Sequence, residues 1–141
     1  MISGRMNHIA VIILVILHQT LGFIWYVPAV FGKKWLYYIG KTAEDINPAN
    51  PVPYAVSILT SIVLCYMIAL LFQMLQVKSV LSGIALSIGL WFSFLFLPTA
   101  THASFSGKPS GLVFISTGIV LVQFILTGAV LSSWKRKIKR R

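Results

Sequence analysis

Polar side chains inside apolar helices are the first place to look for chemistry, because each one costs free energy unless it is paired. The long apolar runs contain several such groups, among them His18 with Gln19 beside it, and Gln123. His18, Gly22 and Trp25 recur at helical spacing and share one face. A rise of about 1.5 Å per residue sets His18 and Gln123 within about 3 Å of the same depth. A His–Gln hydrogen bond between the first and last apolar runs is therefore expected. It could serve as packing glue of roughly 1 kcal/mol. It could also belong to a ligand or proton site, with Gly22 leaving a notch between imidazole and indole.

A second set lies toward one membrane face. The first run leaves the apolar layer through Trp25, Tyr26, Lys33 and Lys34, and the third ends in Pro98, Thr99, Thr101, His102 and Ser104. Ser116 and Thr117 are close in depth. Hydroxyls, an imidazole, ammonium groups and aromatic rings at one level could cradle an anionic or amphipathic molecule. The alternative is an aromatic belt with snorkelling lysines. The candidate ligand-binding residues are His18, Gly22, Trp25, Tyr26, Lys33, Lys34, His102 and Gln123.

Catalytic machinery is mostly missing from the sequence. The only acidic residues, Glu44 and Asp45, are adjacent, so no spaced acid–base pair exists. His8, His18 and His102 fall at different depths, which disfavours a three-histidine metal site. The single cysteine, Cys65, excludes an intrachain disulfide and a cysteine zinc cage. No phosphate-binding glycine loop occurs. No catalytic residue, metal or cofactor is expected, and an enzyme is the least favoured class. Proton-coupled transport usually keeps a carboxylate in the membrane, so here it would need oligomerisation or a histidine carrier.

The elements that must hold these residues are legible from composition. Of 141 residues, 57% are hydrophobic and 10% charged. A soluble domain carries about a quarter charged residues, so lipid is the better solvent. Four runs reach the roughly 20 residues that a bilayer core requires: about 9–31, 54–77, 80–102 and 111–134. They are continuous rather than alternating, unlike barrel strands. The first is longer than a signal-peptide core and lacks a cleavage site, so it reads as retained. The expected fold is an all-α integral membrane four-helix bundle, antiparallel, forming one transmembrane domain over 1–141. A short interfacial helix is expected in "KKWLYYIGK". Thr42 and Asp45 stand at capping-box spacing in the turn that follows.

Arg5, Lys78 and six basic residues in the tail 135–141 flank one side; Lys33, Lys34, Lys41 and Lys108 flank the other. Both termini are therefore expected on the cytoplasmic face of the inner membrane. The net charge of +10 points to anionic lipids at the tail rather than nucleic acid. Small residues repeat every fourth position: Ser57, Ser61, Cys65 and Ala69 in the second span, and Ser79, Gly83 and Ser87 in the third. Such stripes mark helix contacts, and the two are expected to face each other. A second stripe in the third span is Ala85, Gly89 and Ser93. Homo-oligomers are one state these surfaces allow.

The segments "LGFIWYVPAVFGKKW", "GKTAEDI" and "SGKPSGLVFISTGIVLVQFILTGAVLSSW" resemble the bacterial membrane-protein family catalogued as domain of unknown function 1761. The likeness covers almost the whole chain. An Asn-Gly pair opening the last helix in members is absent here, where Ser116, Thr117 and Gly118 stand. The resemblance implies a four-helix membrane protein and draws attention to Trp25, Tyr26, Phe31, Gly32, Lys33 and Trp35. It implies no reaction. The expected function is binding or moving a small amphipathic or lipid-like molecule; the alternative is an interaction or assembly subunit without ligand chemistry.

Overall fold

The computed structural model describes residues 6–134. Arg5 and the basic stretch 135–141, on which the orientation argument leans, lie outside the described residues. Four helical stretches are long and apolar enough to cross a membrane. The first is α1, His8–Trp25, and it is followed by the short α2, Lys33–Ile39. The second span is α3, Val52–Met74. The third, Val80–Phe105, contains α4, Val80–Trp91, and α5, Leu97–Phe105. The fourth is α6, Ser110–Ser133. No strand occurs among the described residues. Large apolar side chains such as Ile16, Phe23, Phe94 and Phe105 are exposed, a surface that hydrocarbon accepts and water does not.

The first span stops at Trp25, short of the expected Phe31. Pro28 holds the preceding Val27 extended, at φ −65° and ψ 148°. A wide turn over Pro28–Gly32 then leads into α2. Gly32 is required there, because the Tyr26 carbonyl occupies the place of any Cβ. Gly40, at φ +68°, ends α2 in a left-handed cap, and the Lys41 N–H reaches back to the Leu36 carbonyl at 3.0 Å.

The expected turn chemistry follows. The Asp45 carboxylate accepts from the Thr42 N–H at 2.7 Å and from its hydroxyl at 2.9 Å. These bonds, with a smaller contribution from Lys41, hold the Asp45 carboxyl below its usual range. Between α3 and α4 the chain reverses through Gln76 at φ +50°. Ser79 then caps α4, its hydroxyl accepting from the Ser82 N–H at 3.1 Å. In the third span Pro98 cannot donate to the turn before it, and a wide π turn over Phe92–Phe96 absorbs the defect.

Helix α6 is the hub. It packs most closely on α4 and also touches α1, α2, α3 and α5. At the α4–α6 crossing the two backbones meet. A Cβ on Gly83 would lie 2.8 Å from the Gly128 carbonyl oxygen and 2.7 Å from Ser132 Cβ. A Cβ on Gly128 would lie 2.6 Å from Ser87 Oγ and 2.7 Å from the Gly83 carbonyl oxygen.

This corrects the expected pairing of small faces. Gly83 and Ser87 face α6, whereas Ser79 is a helix cap. In α3, Ser57 and Ser61 meet Gln19 of α1, and Cys65 clusters with Val11 and Leu14 of α1; Ala69 is buried on the same stripe. The second and third spans share a core of larger side chains, Ile68 and Phe72 with Trp91, which Phe124 of α6 completes. Two glycine-bearing stripes allow closer approach than two serine stripes, so α4 goes to the helix that carries Gly128.

Candidate functional site

At mid-span, α1 turns His18 into the bundle, where it is 1% exposed. Its Nε2 lies 3.1 Å from Thr127 Oγ1. The Thr127 hydroxyl donates its only hydrogen to the Gln123 carbonyl at 2.8 Å, so it accepts from a protonated Nε2. Nδ1 then carries the lone pair, and it has no hydrogen-bond partner. The Gln123 amide does reach His18, but at the backbone carbonyl, 3.4 Å away. The expected pair thus meets without a side-chain bond between its members. Helical side chains lean toward their own N-terminus. On α1 that lean carries the imidazole past Gln123 to Thr127, one turn further along antiparallel α6.

The neighbouring residue explains itself through α3. Gln19 donates from Nε2 to Ser61 Oγ at 3.0 Å, and its Oε1 accepts from Ser57 Oγ at 3.0 Å. One amide satisfies two hydroxyls one turn apart, tying α1 to α3. Gln19→Leu is expected to lower the thermal midpoint in detergent by a few degrees, for a loss of about 1 kcal/mol. Adding Ser57→Ala and Ser61→Ala should then cost little more. If the triple variant lost the full sum of the separate effects, the three side chains would not be coupled.

Two indoles grip α6 from different sides. Trp25 Nε1 donates to the Ile115 carbonyl at 3.0 Å, and Trp91 Nε1 donates to the Thr117 carbonyl at 2.9 Å. Gly118 permits the first contact: a Cβ there would sit 3.2 Å from the Trp25 ring. Gly22, by contrast, has no atom within 4 Å of where its Cβ would be. The notch stays unfilled by protein, but the imidazole and indole on either side of it are engaged elsewhere.

The expected outer cluster divides around α6. On one side, Trp25 packs on Phe31 with ring centroids 4.6 Å apart, and Tyr26 meets Trp35 edge-on at 5.3 Å. Lys33 and Lys34 are exposed at the start of α2. His102 is exposed on α5. Helices α2 and α5 each dock on α6, and Tyr38 of α2 covers Gly111.

A pocket of about 230 Å³ opens between α5 and α6. Its floor is Phe96, Val113 and Phe114, with Phe96 and Phe114 5.8 Å apart. Ala100 and Ala103 supply the space, while Ser104, Lys108 and Ser110 line the polar end. Of these residues only Ser104 stood in the expected outer set, and none is among the eight candidate ligand-binding residues. The available signal was two alanines one turn apart on α5, followed by a lysine at the turn into α6. Among the described residues no cluster of three or more His, Cys, Asp or Glu could hold a metal.

The site can therefore be described in two parts. The central layer of His18, Thr127, Gln123, Gln19, Ser57 and Ser61 cross-links α1, α3 and α6 and presents no acid–base pair. The α5–α6 pocket offers an apolar floor with a cationic mouth. Neither the curated proteins nor the solved structures contain a match to this chain. The model of the family described as "Protein of unknown function (DUF1761)" matches residues 9–132, from the second residue of α1 to the penultimate residue of α6, and the chain belongs to that family.

Proposed function

We propose that this multi-pass membrane protein binds a small amphipathic or lipid-like molecule at one end of its bundle, in the α5–α6 pocket. The observation that carries this reading is the polarity of the pocket, apolar at Phe96 and Phe114 and polar at Ser104, Lys108 and Ser110. Ser104 and Phe96 are eight residues apart, so about 12 Å of helix separates the two ends. Its polar and apolar ends are thus separated along the span, as the head and tail of a lipid are. On this reading, which rests on the distribution of Lys and Arg, both termini face the cytoplasm and the pocket opens at the opposite face. Labelling of Ser106→Cys from outside intact cells tests that orientation, and labelling only after lysis would reverse it.

Native mass spectrometry of the purified protein tests the binding. A co-purifying molecule should remain on the wild type and be lost from Ala100→Phe, which fills the pocket. A thermal midpoint close to the wild type would show that the variant is folded. Equal retention by both proteins would remove the pocket as the site.

The second reading, an assembly subunit, is favoured by one observation. Ala85 and Gly89 of α4 and Ser93 in the π turn after it are exposed, and nothing lies within 4 Å of a Cβ at Gly89. Such a stripe lets another helix approach closely. Cross-linking through Gly89→Cys in native membranes should then yield a discrete adduct, and its absence would count against this reading.

A further inference from the structure

Given the amphipathic pocket proposed above, we infer that its occupant is an anionic phospholipid whose phosphate is read by Lys108. The charge inventory supports a negative head. The chain has 12 basic and 2 acidic residues. Both carboxylates lie in the loop before α3, where Asp45 is engaged by Thr42. Lys108 lines the pocket mouth, and no carboxylate side chain stands near it in sequence or in the pocket wall. A cation on the rim of a low-dielectric cleft attracts an anion more strongly than the same charge in open water.

The α6 N-terminus adds potential of the same sign beside Ser110. Pro109 precedes the helix and no side chain caps it. Ser104 is not a free donor, because its hydroxyl already donates to the Ala100 carbonyl at 2.8 Å. Its oxygen can still accept from a hydroxyl-bearing headgroup.

The apolar walls identify a lipid as the source of the phosphate. Phe114 is both a pocket residue and 63% exposed. The floor therefore continues onto the lipid-facing surface, and an acyl chain held there passes directly into the bilayer. A free phosphate would leave the aromatic floor without a partner.

The full chain in nanodiscs containing phosphatidylglycerol and phosphatidylcholine tests the inference, with bound lipid read by native mass spectrometry. Wild type should retain phosphatidylglycerol over phosphatidylcholine, with about fivefold of that preference due to Lys108, the scale of one lysine near a membrane surface. Lys108→Gln should lower this preference about fivefold, to the residual set by the tail and the other basic residues, while total bound lipid stays the same. Lys33→Gln should leave it unchanged. The basic tail is intact in every protein, so its own attraction for anionic lipid is common to all of them.

A preference that Lys108→Gln leaves unchanged, or one that Lys33→Gln lowers as far, overturns the assignment. Glycerol 3-phosphate displacing the bound lipid at equal concentration would identify the free anion as ligand and also overturn it. If Ala100→Phe expels lipid but Lys108→Gln changes nothing, the pocket stands as an amphiphile site and only its anion selectivity falls. If Ala100→Phe expels nothing, both fall.

Discussion

Gly83→Leu and Gly128→Leu are expected to cost about 3 kcal/mol or more each, the upper end for overpacking a close contact. At each position the atoms in the way include backbone of the facing helix. A side chain can turn aside, but a carbonyl on a regular helix can move only if the helix moves with it. The α4–α6 crossing must then widen, which would also pull Trp91 from the Thr117 carbonyl. Gly89→Leu is the control. It adds the same side chain to the same helix where nothing lies within 4 Å, so it should stay within about 0.5 kcal/mol of wild type. Thermal unfolding in detergent, read by helical circular dichroism, separates the two cases. Equal midpoints for Gly83→Leu and Gly89→Leu would contradict the crossing described above.

His18→Ala is the other change with a large expected effect. The ring is almost fully buried, and its removal leaves a cavity at the junction of α1, α3 and α6. Large-to-small changes of this kind cost about 2–5 kcal/mol. His18→Leu should cost much less, within about 1.5 kcal/mol. Thr127 already donates to the Gln123 carbonyl, so no buried donor is orphaned when the imidazole goes. The same pair of thermal midpoints reads both variants. A His18→Leu protein as unstable as His18→Ala would mean that the His18–Thr127 bond itself holds the bundle. The expected tolerance leaves the lone pair on Nδ1 unexplained by stability.

The features legible in the sequence are the ones fixed locally. Thr42 and Asp45 announce their turn through a three-residue spacing. Pro28 stops α1 through the residue before it, although apolar composition alone carried the expected span to Phe31. The interfacial aromatic segment becomes α2. Depth was also readable, since a regular rise placed His18 and Gln123 at one level.

Azimuth was not readable. A stripe of small residues states that a helix has a close neighbour without saying which one. Ser57 and Ser61 satisfy Gln19, while Gly83 finds Gly128, whose own four-residue interval with Ser132 was the overlooked complement. The outer cluster failed for the same reason. Lys33, Lys34 and His102 were grouped by expected depth alone, but their helices dock separately on α6. Lys108 entered the sequence argument only as a unit of charge, because its pocket exists only once α5 folds back against α6. The imidazole partner, Thr127, was missed by one turn, a distance set by the lean of side chains along the helix.

The central place of α6 has a consequence for biosynthesis. Chains emerge N-terminus first, and α6 follows every other helix described here. Until it arrives, α1 and α3 can pair through Gln19, Ser57 and Ser61, whereas α4 lacks its principal partner and leaves Gly83 and Ser87 uncovered, with only Ile68 and Phe72 of α3 to meet Trp91. The first half of the chain can therefore assemble as it is made, whereas the third span must wait. The last helix acts as a keystone, and the nascent protein is most exposed to quality-control proteases in the interval before it is inserted.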